Sequence, residues 1–489
     1  MKVENFLEKH EIREVNLVKK LVLSGGEVSH NDMVDYLDVS RASLDKDLAS
    51  LAYRLEPFKE SVRVDFDGPM ITLFMSNEFS LAQIYQVYLK ESVKVKIISY
   101  LYRHQEFSIV QLTQKLMISE SSLFRKIKEL NDYLKEFHIK IRNGRLQGEE
   151  LQIRYFYYQF YWYVSDKKTS AVKKNDEQVS KLLQATTNFM GINLEPDGKE
   201  RLKVWLHISK NRVNSKKKVY KELRRLMEPY MEDHFYQKMR SMVLRYFSRY
   251  SIEVDEEEAM LHFVFMLAFP VLTEHDFHEY TLLRARRAPI ATIDTYVVET
   301  IIIHYNYRRL PYMLEREMFY YLSQIHAKMY FLKGAIEVYE YDTILSKEKQ
   351  FTGKDLVSFA EQLRMISMGK FEIEESTEDS LLKMELLKYI SLLAIVTFSM
   401  TKIKKVGIDL KMETIYTEAL NHLLILNMRH INGIHVEKYQ PKKDYDLVLT
   451  NAPIKDSSAY GKAEVYVLSE ILSPFDMKNI QNIIQNLTL

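Results

Sequence analysis

Cysteine is absent from the 489-residue sequence. Disulfide bonds, cysteine-ligated zinc and catalysis by a thiolate are therefore excluded together. A chain that uses none of these fits a reducing compartment, so we expect a cytoplasmic protein. The histidines are scattered and lack the spacing of metal ligands, which predicts neither a metal site nor a cofactor.

Glycine and proline are scarce, at 13 and 10 residues, whereas long straight-chain and aromatic residues abound. This balance favours a mainly α-helical protein with short connections. Long apolar runs are missing too, and the N-terminus alternates charged with apolar residues, so we expect neither export nor a membrane span. The chain is too long for one hydrophobic core, which predicts a multidomain protein.

Charge of one sign is not in large excess either, since the net charge is +2. A surface for nucleic acid would then be a local patch rather than a property of the whole molecule. The sequence also lacks a P-loop, a dinucleotide fingerprint, a GxSxG elbow and an HExxH pattern. We therefore do not expect an enzyme.

Apolar residues near the N-terminus recur at helical spacing in three blocks: Val15–Leu23, Met33–Leu37 and Leu44–Leu55. Between the second and third blocks, Leu37-Asp38-Val39-Ser40 offers a tight turn with Ser40 as the N-cap of the next helix. A hairpin is predicted from Val62–Phe66, Asp67-Gly68-Pro69 and Ile71–Phe74. Together these elements predict a winged helix-turn-helix.

The same pattern returns 79 residues further along the chain. Ser29, Leu37, Val39, Ser40, Ser43, Leu44, Leu48, Leu51 and Leu55 correspond to Ser108, Leu116, Ile118, Ser119, Ser122, Leu123, Ile127, Leu130 and Leu134. We interpret Ile139–Arg142, the turn Asn143-Gly144 and Leu151–Arg154 as the second hairpin. The alternative interpretation is two helical pairs whose apolar faces only pack on their neighbours.

Basic residues of the second copy favour DNA binding. Between Ser92 and Leu146 there are 11 lysines and arginines against 5 acidic residues, whereas Met1–Glu60 has 9 against 12. The candidate contacts are Ser121, Ser122, Arg125, Lys126 and Lys128 on the recognition helix, Arg142 and Arg145 around the wing, and Arg41 and Lys46 in the first copy. Because Asp45 and Asp47 flank Lys46 and would repel phosphate, we expect the second copy to dominate.

Tandem winged units followed by a long helix-rich middle resemble the Mga/AtxA family of regulators from Gram-positive bacteria. The resemblance covers nearly the whole chain and rests mainly on domain order. It implies two DNA-binding units, two phosphotransferase-system regulation domains (PRDs) and a C-terminal domain similar to enzyme IIB. The implied boundaries are 1–80 and 81–165 for the winged units, 166–283 and 284–402 for the PRD-like domains, and 403–489 for the IIB-like domain.

Three histidines are candidates for phosphorylation by resemblance to PRDs. His207, in Leu202–Arg212, is similar to a first PRD histidine followed by Asn and Arg one turn on, and His262, in Asp255–Phe263, is similar to a second. In the other PRD-like domain Ser323 stands where His207 would align, and His326 follows about one turn later. Imidazole accepts a phosphoryl group at neutral pH, and the added charge can repack a helical interface.

From Lys404 onward short apolar strands alternate with helices. We predict strands at Lys405–Leu410, Ile434–Glu437, Leu447–Thr450 and Val465–Leu468, with helices at Thr414–Leu426 and Pro474–Leu487. This order predicts a parallel α/β sheet and resembles enzyme IIB. Since the chain has no cysteine, the domain lacks the nucleophile such a phosphocarrier would use, and we expect it to serve dimerisation or sensing.

These features predict a DNA-binding transcription regulator that phosphorylation, oligomerisation or both control. Its expected partners are double-stranded DNA, a second copy of the chain and a phosphocarrier protein of the phosphotransferase system. Two alternatives remain open: an RNA-binding antiterminator that keeps the PRDs, and an interaction protein that does not bind DNA.

Overall fold

The computed structural model describes residues 1–164, 176–248, 255–337, 356–374, 379–400, 403–428, 434–453, 460–470 and 473–488. The described chain is mainly helical with a few small sheets, as predicted. It divides into two compact units: Met1–Ile344 with Glu361–Tyr389, and Leu345–Ala360 with Ile390–Leu489. None of the helices within the described ranges is long and apolar enough to span a membrane.

The first repeat has the helices, turn and hairpin that its sequence predicts. Its elements are α1 (Lys9–Leu23), β1 (Glu27–Ser29), α2 (His30–Leu37), α3 (Arg41–Leu55), β2 (Val62–Asp65) and β3 (Met70–Met75). The strands form an antiparallel sheet in the order β1-β3-β2, with Val64 opposite Leu73. Leu44, Leu48 and Leu51 are fully buried, so one face of α3 supplies the core of the repeat.

The second repeat follows the same order of elements. After α4 (Leu81–Glu91) come α5 (Val93–His104), α6 (Ile109–Leu116), α7 (Glu120–Leu134), β4 (Lys140–Arg142) and β5 (Arg145–Gln147). Helices α6 and α7 begin and end 79 residues after α2 and α3. The third strand is reduced to a single bridge between Glu106 and Arg145. The predicted duplication is therefore present in the helices and only partly in the sheets.

Serine caps and one left-handed residue fix the tight turn in both repeats. The Oγ atoms of Ser40 and Ser119 each accept the backbone N–H three residues on, at 3.3 and 3.2 Å. The preceding helices end at Asp38 and Met117, both with φ of 52°. A helix that ends in a left-handed residue and restarts behind a serine turns sharply, which sets the angle between the paired helices.

The returning strand of the second hairpin does not lie where the sequence analysis placed it. Arg145–Gln147 pairs with Lys140–Arg142, whereas Leu151–Arg154 is helical. That part of the prediction was wrong because Asn143-Gly144 has φ values of 52° and 69°, as in a two-residue hairpin loop. The chain therefore pairs back immediately after the turn.

Helices α8 to α18 follow the second repeat in the described ranges. They are α8 (Glu150–Gln159), α9 (Glu177–Met190), α10 (Pro196–Arg212), α11 (Lys221–Met227), α12 (His234–Ser248), α13 (Glu257–Ala268), α14 (Glu274–Leu283), α15 (Pro289–His304), α16 (Tyr312–Phe331), α17 (Leu356–Lys370) and α18 (Ser380–Met400). A π-helical turn, Phe160–Val164, extends α8. The aromatic run along α8 is buried, and Tyr158 packs edge-on against Phe265 and Phe269. It is therefore core rather than a surface for stacking bases.

A buried ion network joins α8 to α10 and α13. The Arg154 guanidinium donates two hydrogen bonds to the Glu258 carboxylate, at 2.6 and 2.7 Å, and one to Glu150 at 2.9 Å. Arg212 donates to both oxygens of Glu150, at 2.6 and 3.0 Å. Removing one member of such a network leaves an unpaired buried charge and typically costs about 3–5 kcal/mol of stability.

The network also shifts the protonation of neighbouring groups. Burial alone would raise the pKa of Glu258, but Arg154 outweighs it and lowers that pKa to about 2. Burial lowers the pKa of His262 to about 4, and the nearby Glu258 carboxylate offsets only part of this shift. At neutral pH the Glu258 carboxylate is therefore ionised and the His262 imidazole is neutral.

The C-terminal unit contains the predicted parallel sheet. Its strands are β6 (Lys404–Asp409), β7 (Ile434–Lys438), β8 (Leu447–Thr450) and β9 (Glu464–Val467), in the order β7-β6-β8-β9. Helix α19 (Thr414–Met428) connects β6 to β7, and α20 (Pro474–Thr488) follows β9. The three described strand pairs of this sheet, β6 with β7, β6 with β8 and β8 with β9, are all parallel.

We predict that acid destabilises the first unit below about pH 6.5, the pKa of an unperturbed histidine. The unfolded chain then binds a proton at residue 262 that the folded chain excludes until about pH 4. Stability rises with pH in that window, and the loss between pH 8 and pH 5 should be about 2 kcal/mol. Urea unfolding across pH measures it. His262→Asn should flatten the profile, and an unchanged profile would contradict the assignment.

Candidate nucleic-acid interface and histidine sites

One face of α7 is exposed and basic. Ser121, Arg125 and Lys128 share this face, since they lie three to four residues apart, and all three are exposed. Ser122 is half-buried, and its backbone N–H donates to the Oγ of Ser119, so it belongs to the helix cap. The exposed face has the groups that contact phosphates and base edges in a major groove.

Phe124 lies on the same face and was missed by the sequence analysis. Its side chain is 54% exposed, three residues after Ser121 and four before Lys128. An apolar residue in a helical repeat is ordinarily read as core, but the spacing that places Arg125 and Lys128 outward also places Phe124 outward. A large exposed apolar side chain within a polar face indicates a surface that contacts a partner.

Lys126 does not belong to this face, which corrects the sequence interpretation. It is only 5% exposed, and its Nζ lies 2.6 Å from both carboxylate oxygens of Glu8 and 3.5 Å from Glu129. One residue beyond Arg125, the helix has turned by about 100° and Lys126 points into the protein. Its ammonium therefore joins α7 to the segment before α1 and cannot also contact DNA in this arrangement.

The equivalent position of the first repeat is buried as well, with the opposite charge. Asp47, 79 residues before Lys126, is bound by Arg13 of α1 at 2.8 and 3.0 Å. In each repeat a buried charged side chain of the third helix is thus held by an ion pair. In the first repeat the pair is internal, whereas Lys126 and Glu8 connect the two repeats.

The remaining predicted contacts differ in exposure. Arg142 is exposed at the tip of the second hairpin, and Arg145 is half-buried and paired with Glu106. Arg41 and Lys46 are exposed on α3, but the exposed side chain of Asp45 lies beside them. The second repeat presents the more basic surface, because the exposed acidic residue on this side of α7, Asp132, lies one turn beyond Lys128 and is paired with Lys135 at 2.8 Å.

His207 lies at a junction between the second repeat and the helical body. Its Nδ1 is 3.0 Å from the hydroxyl of Tyr102 on α5, and its Nε2 is 3.9 Å from Asp176. The side chain is 13% exposed. Lys210, one turn further along α10, binds Asp176 at 2.7 Å. Burial raises the pKa of the Tyr102 hydroxyl, so this hydroxyl stays protonated; it also donates to the backbone carbonyl of His207 at 3.4 Å, and its role towards Nδ1 depends on the tautomer of the ring.

His262 and His326 are placed differently. His262 is buried on α13, and its Nδ1 accepts the indole N–H of Trp205 at 3.0 Å. His326 is fully buried, with Nδ1 at 2.5 Å from Asp294 and Nε2 at 2.7 Å from the hydroxyl of Tyr389. A phosphoryl donor cannot reach either ring without local opening, so of the three candidates His207 alone borders solvent.

The segment around His326 repeats part of the segment around His207, with exchanged residues. Ser323, which aligns with His207, bonds to Asp294, and His326 stands in the place of Lys210. Arg284 also binds Asp294, at 2.8 Å. An aspartate on a preceding helix therefore contacts both positions in each segment. Among the described residues, no group of three or more histidine, aspartate or glutamate side chains is arranged to hold a metal ion.

Two comparisons bear on this site. The model of the Mga helix-turn-helix domain matches residues 77–161, which include α5, α6, α7 and the second hairpin. The capsule synthesis positive regulator AcpB of Bacillus anthracis is 27% identical over 122 residues. That match covers 24% of this chain and 25% of AcpB, so the chain aligns with about a quarter of this relative. Both matches cover a limited part of the chain, and they support a similarity to the Mga-like transcription regulators.

Proposed function

We propose that the protein is a DNA-binding transcription regulator whose principal contact surface is the exposed face of α7. The observation that carries the proposal is the position of Arg125 and Lys128, exposed on one face within the segment that matches the Mga helix-turn-helix domain. Phe124 adds an apolar group of the kind that contacts thymine methyl groups. Arg142, on the hairpin, contacts the DNA backbone beside the site that α7 occupies, as the wing of a winged helix does.

We infer that His207 carries a regulatory phosphoryl group donated by a phosphotransferase-system protein. Phosphorylation at Nδ1 occupies the nitrogen that Tyr102 contacts, and phosphorylation at Nε2 adds negative charge beside Asp176. Either event disturbs the contact between α10 and α5. Because α5 packs in the second repeat, the disturbance reaches the helices that hold α7.

The domain organisation we propose follows the expected boundaries. Residues 1–80 and 81–165 form the winged units, 166–283 and 284–402 the PRD-like domains, and 403–489 a IIB-like domain. The four-stranded parallel sheet supports the last assignment. Without a cysteine this domain serves assembly, so the working form is a cytoplasmic homodimer with four DNA-binding units on a long site.

Neutralising Arg125 and Lys128 together, as Arg125→Gln/Lys128→Gln, should weaken duplex binding more than Arg41→Gln/Lys46→Gln. Two lost phosphate contacts should reduce the slope of log affinity against log salt by about 2. A gel-shift titration across a salt series measures both quantities. Equal losses in the two variants would contradict the assignment of the surface, and no binding by the wild type at low salt would contradict the proposed function.

Lys126→Gln is the matched control on the same helix. It leaves Glu8 without its ion-pair partner, whereas Glu129 keeps Lys94 at 3.0 Å, so we expect a loss of roughly 1–2 kcal/mol in the free energy of unfolding, discounted for the partial exposure of Glu8. At temperatures where the variant is folded, its salt slope should equal that of the wild type.

Replacing His207 by glutamate should change duplex affinity, whereas His207→Gln should change it less, because glutamate adds charge beside Asp176. In the Tyr102→Phe background the difference in duplex affinity between His207→Glu and His207→Gln should be smaller, because the hydroxyl that contacts residue 207 is absent. The double-mutant cycle in duplex binding tests this coupling. Identical affinities for the two His207 variants would exclude control by charge at this position.

A chain truncated before Lys404 should have about half the mass of the full chain at the same concentration, because the proposed dimer contact is lost. Light scattering measures the mass, and circular dichroism checks that the helical unit is still folded. An unchanged mass of the truncated chain would remove the assembly role from the C-terminal domain.

A further inference from the structure

A second basic surface of the DNA-binding segment is concave. A cavity of about 320 Å³ lies between α4, α5, α6 and the π-helical turn after α8. Its basic lining residues are Lys90, Lys96, Arg103, His104 and Lys115. None of the described residues that line it is acidic. The volume is at the small end of the range for ligand pockets, large enough for one or two phosphate groups.

The floor of the cavity is aromatic and apolar. Tyr161 and Leu89 are buried beneath it, and Tyr100 forms one wall. The ammonium of Lys115 lies 5.2 Å from the centre of the Tyr100 ring, and the centre of the His104 ring lies 4.3 Å from the same ring at a tilt of 36°. These contacts hold Lys115 and His104 beside the tyrosine in the lining of the cavity.

The first repeat shows that the fold does not require this charge. When the buried residues of α1 and α5 are superposed, with Leu17 on Ile97 and Leu21 on Leu101, the positions of Lys96, Arg103 and His104 are occupied by Asn16, Leu23 and Ser24. Only the cation–aromatic contact is kept, with its members exchanged: Lys20 lies 5.1 Å from the centre of the Tyr36 ring. The additional cations are therefore particular to the second repeat.

Lys96, Arg103 and Lys115 place three cations around one concavity, and like charges repel one another unless an anion neutralises them. We propose that this cavity binds phosphate groups, either those of a duplex bound to α7 or those of a free phosphorylated molecule. Lysine and arginine together suit this chemistry, because the first supplies a mobile point charge and the second a planar pair of donors. The free-ligand form goes beyond the proposed function, and the duplex form rests on it.

An occupant of the cavity would be coupled to His207. Tyr161 in the floor packs edge-on against Tyr102, with ring centres 4.6 Å apart, and the hydroxyl of Tyr102 meets His207. A ligand that shifts Tyr161 therefore changes the same contact that phosphorylation of His207 would change. Because coupling between two sites is reciprocal, phosphorylation of His207 would change the affinity of the cavity for its ligand by the factor by which that ligand changes the phosphorylation equilibrium.

The test uses the full chain, with Lys96→Gln/Arg103→Gln as the cavity variant and Arg125→Gln/Lys128→Gln as its matched control. Both pairs are exposed, so both variants should fold, and circular dichroism verifies it. The probes are inorganic pyrophosphate, at ionic strength held constant with chloride, and a random-sequence duplex. The readouts are the melting temperature with pyrophosphate and the salt slope of duplex binding.

Stabilisation of the wild type and the control by several degrees, but not of the cavity variant, assigns the site to a free phosphorylated ligand. No effect of pyrophosphate, together with a salt slope reduced by about 2 in the cavity variant, assigns it to duplex phosphates. A cavity variant that matches the wild type in both readouts overturns the inference, and the control variant then reports separately on the proposed function. Stabilisation by pyrophosphate without duplex binding by the wild type would overturn the function and keep the site.

Discussion

The buried guanidinium of Arg154 is the interaction on which the arrangement of the first unit depends. It extends from α8, directly after the second repeat, and is held by Glu258 of α13 and by Glu150, which also binds Arg212 of α10. Removing one of these charges would leave its partner buried and unpaired, at a cost of about 3–5 kcal/mol, so the network fixes how these three helices pack. The second repeat and the histidine-bearing helices are therefore one packed body, and this makes the contact between Tyr102 and His207 able to transmit a change.

The two repeats share the features that form the fold and differ in the residues that form the exposed surface. Both keep the serine caps, the left-handed residue in the turn and a buried ion pair on the third helix. They differ in the exposed face, which carries Phe124, Arg125 and Lys128 in one repeat and Asp45 and Lys46 in the other. The match to the Mga helix-turn-helix domain covers the second repeat, where the exposed basic face of α7 and the basic cavity both lie.

Local sequence patterns predicted the helices, the turns and the C-terminal strands closely, because apolar spacing, serine caps and short β-branched runs act over a few residues. They did not predict that Lys126 is buried and paired, because its partner Glu8 is 118 residues away in the sequence. The burial of His262 and His326 is likewise a property of packed helices that their own segments do not contain. Phe124 could have been found, since the helical face that exposes Arg125 and Lys128 includes it.

Native-state hydrogen exchange tests the central claim, that the second repeat and the histidine-bearing helices form one cooperative body. If the ion network joins them, amides of α8 and α13 open with free energies that agree within about 1 kcal/mol and respond to denaturant with the same slope. If α8 exchanges through an opening about 3 kcal/mol easier than that of α13, the repeat detaches independently, and the account of coupling through Arg154 and Tyr102 is contradicted.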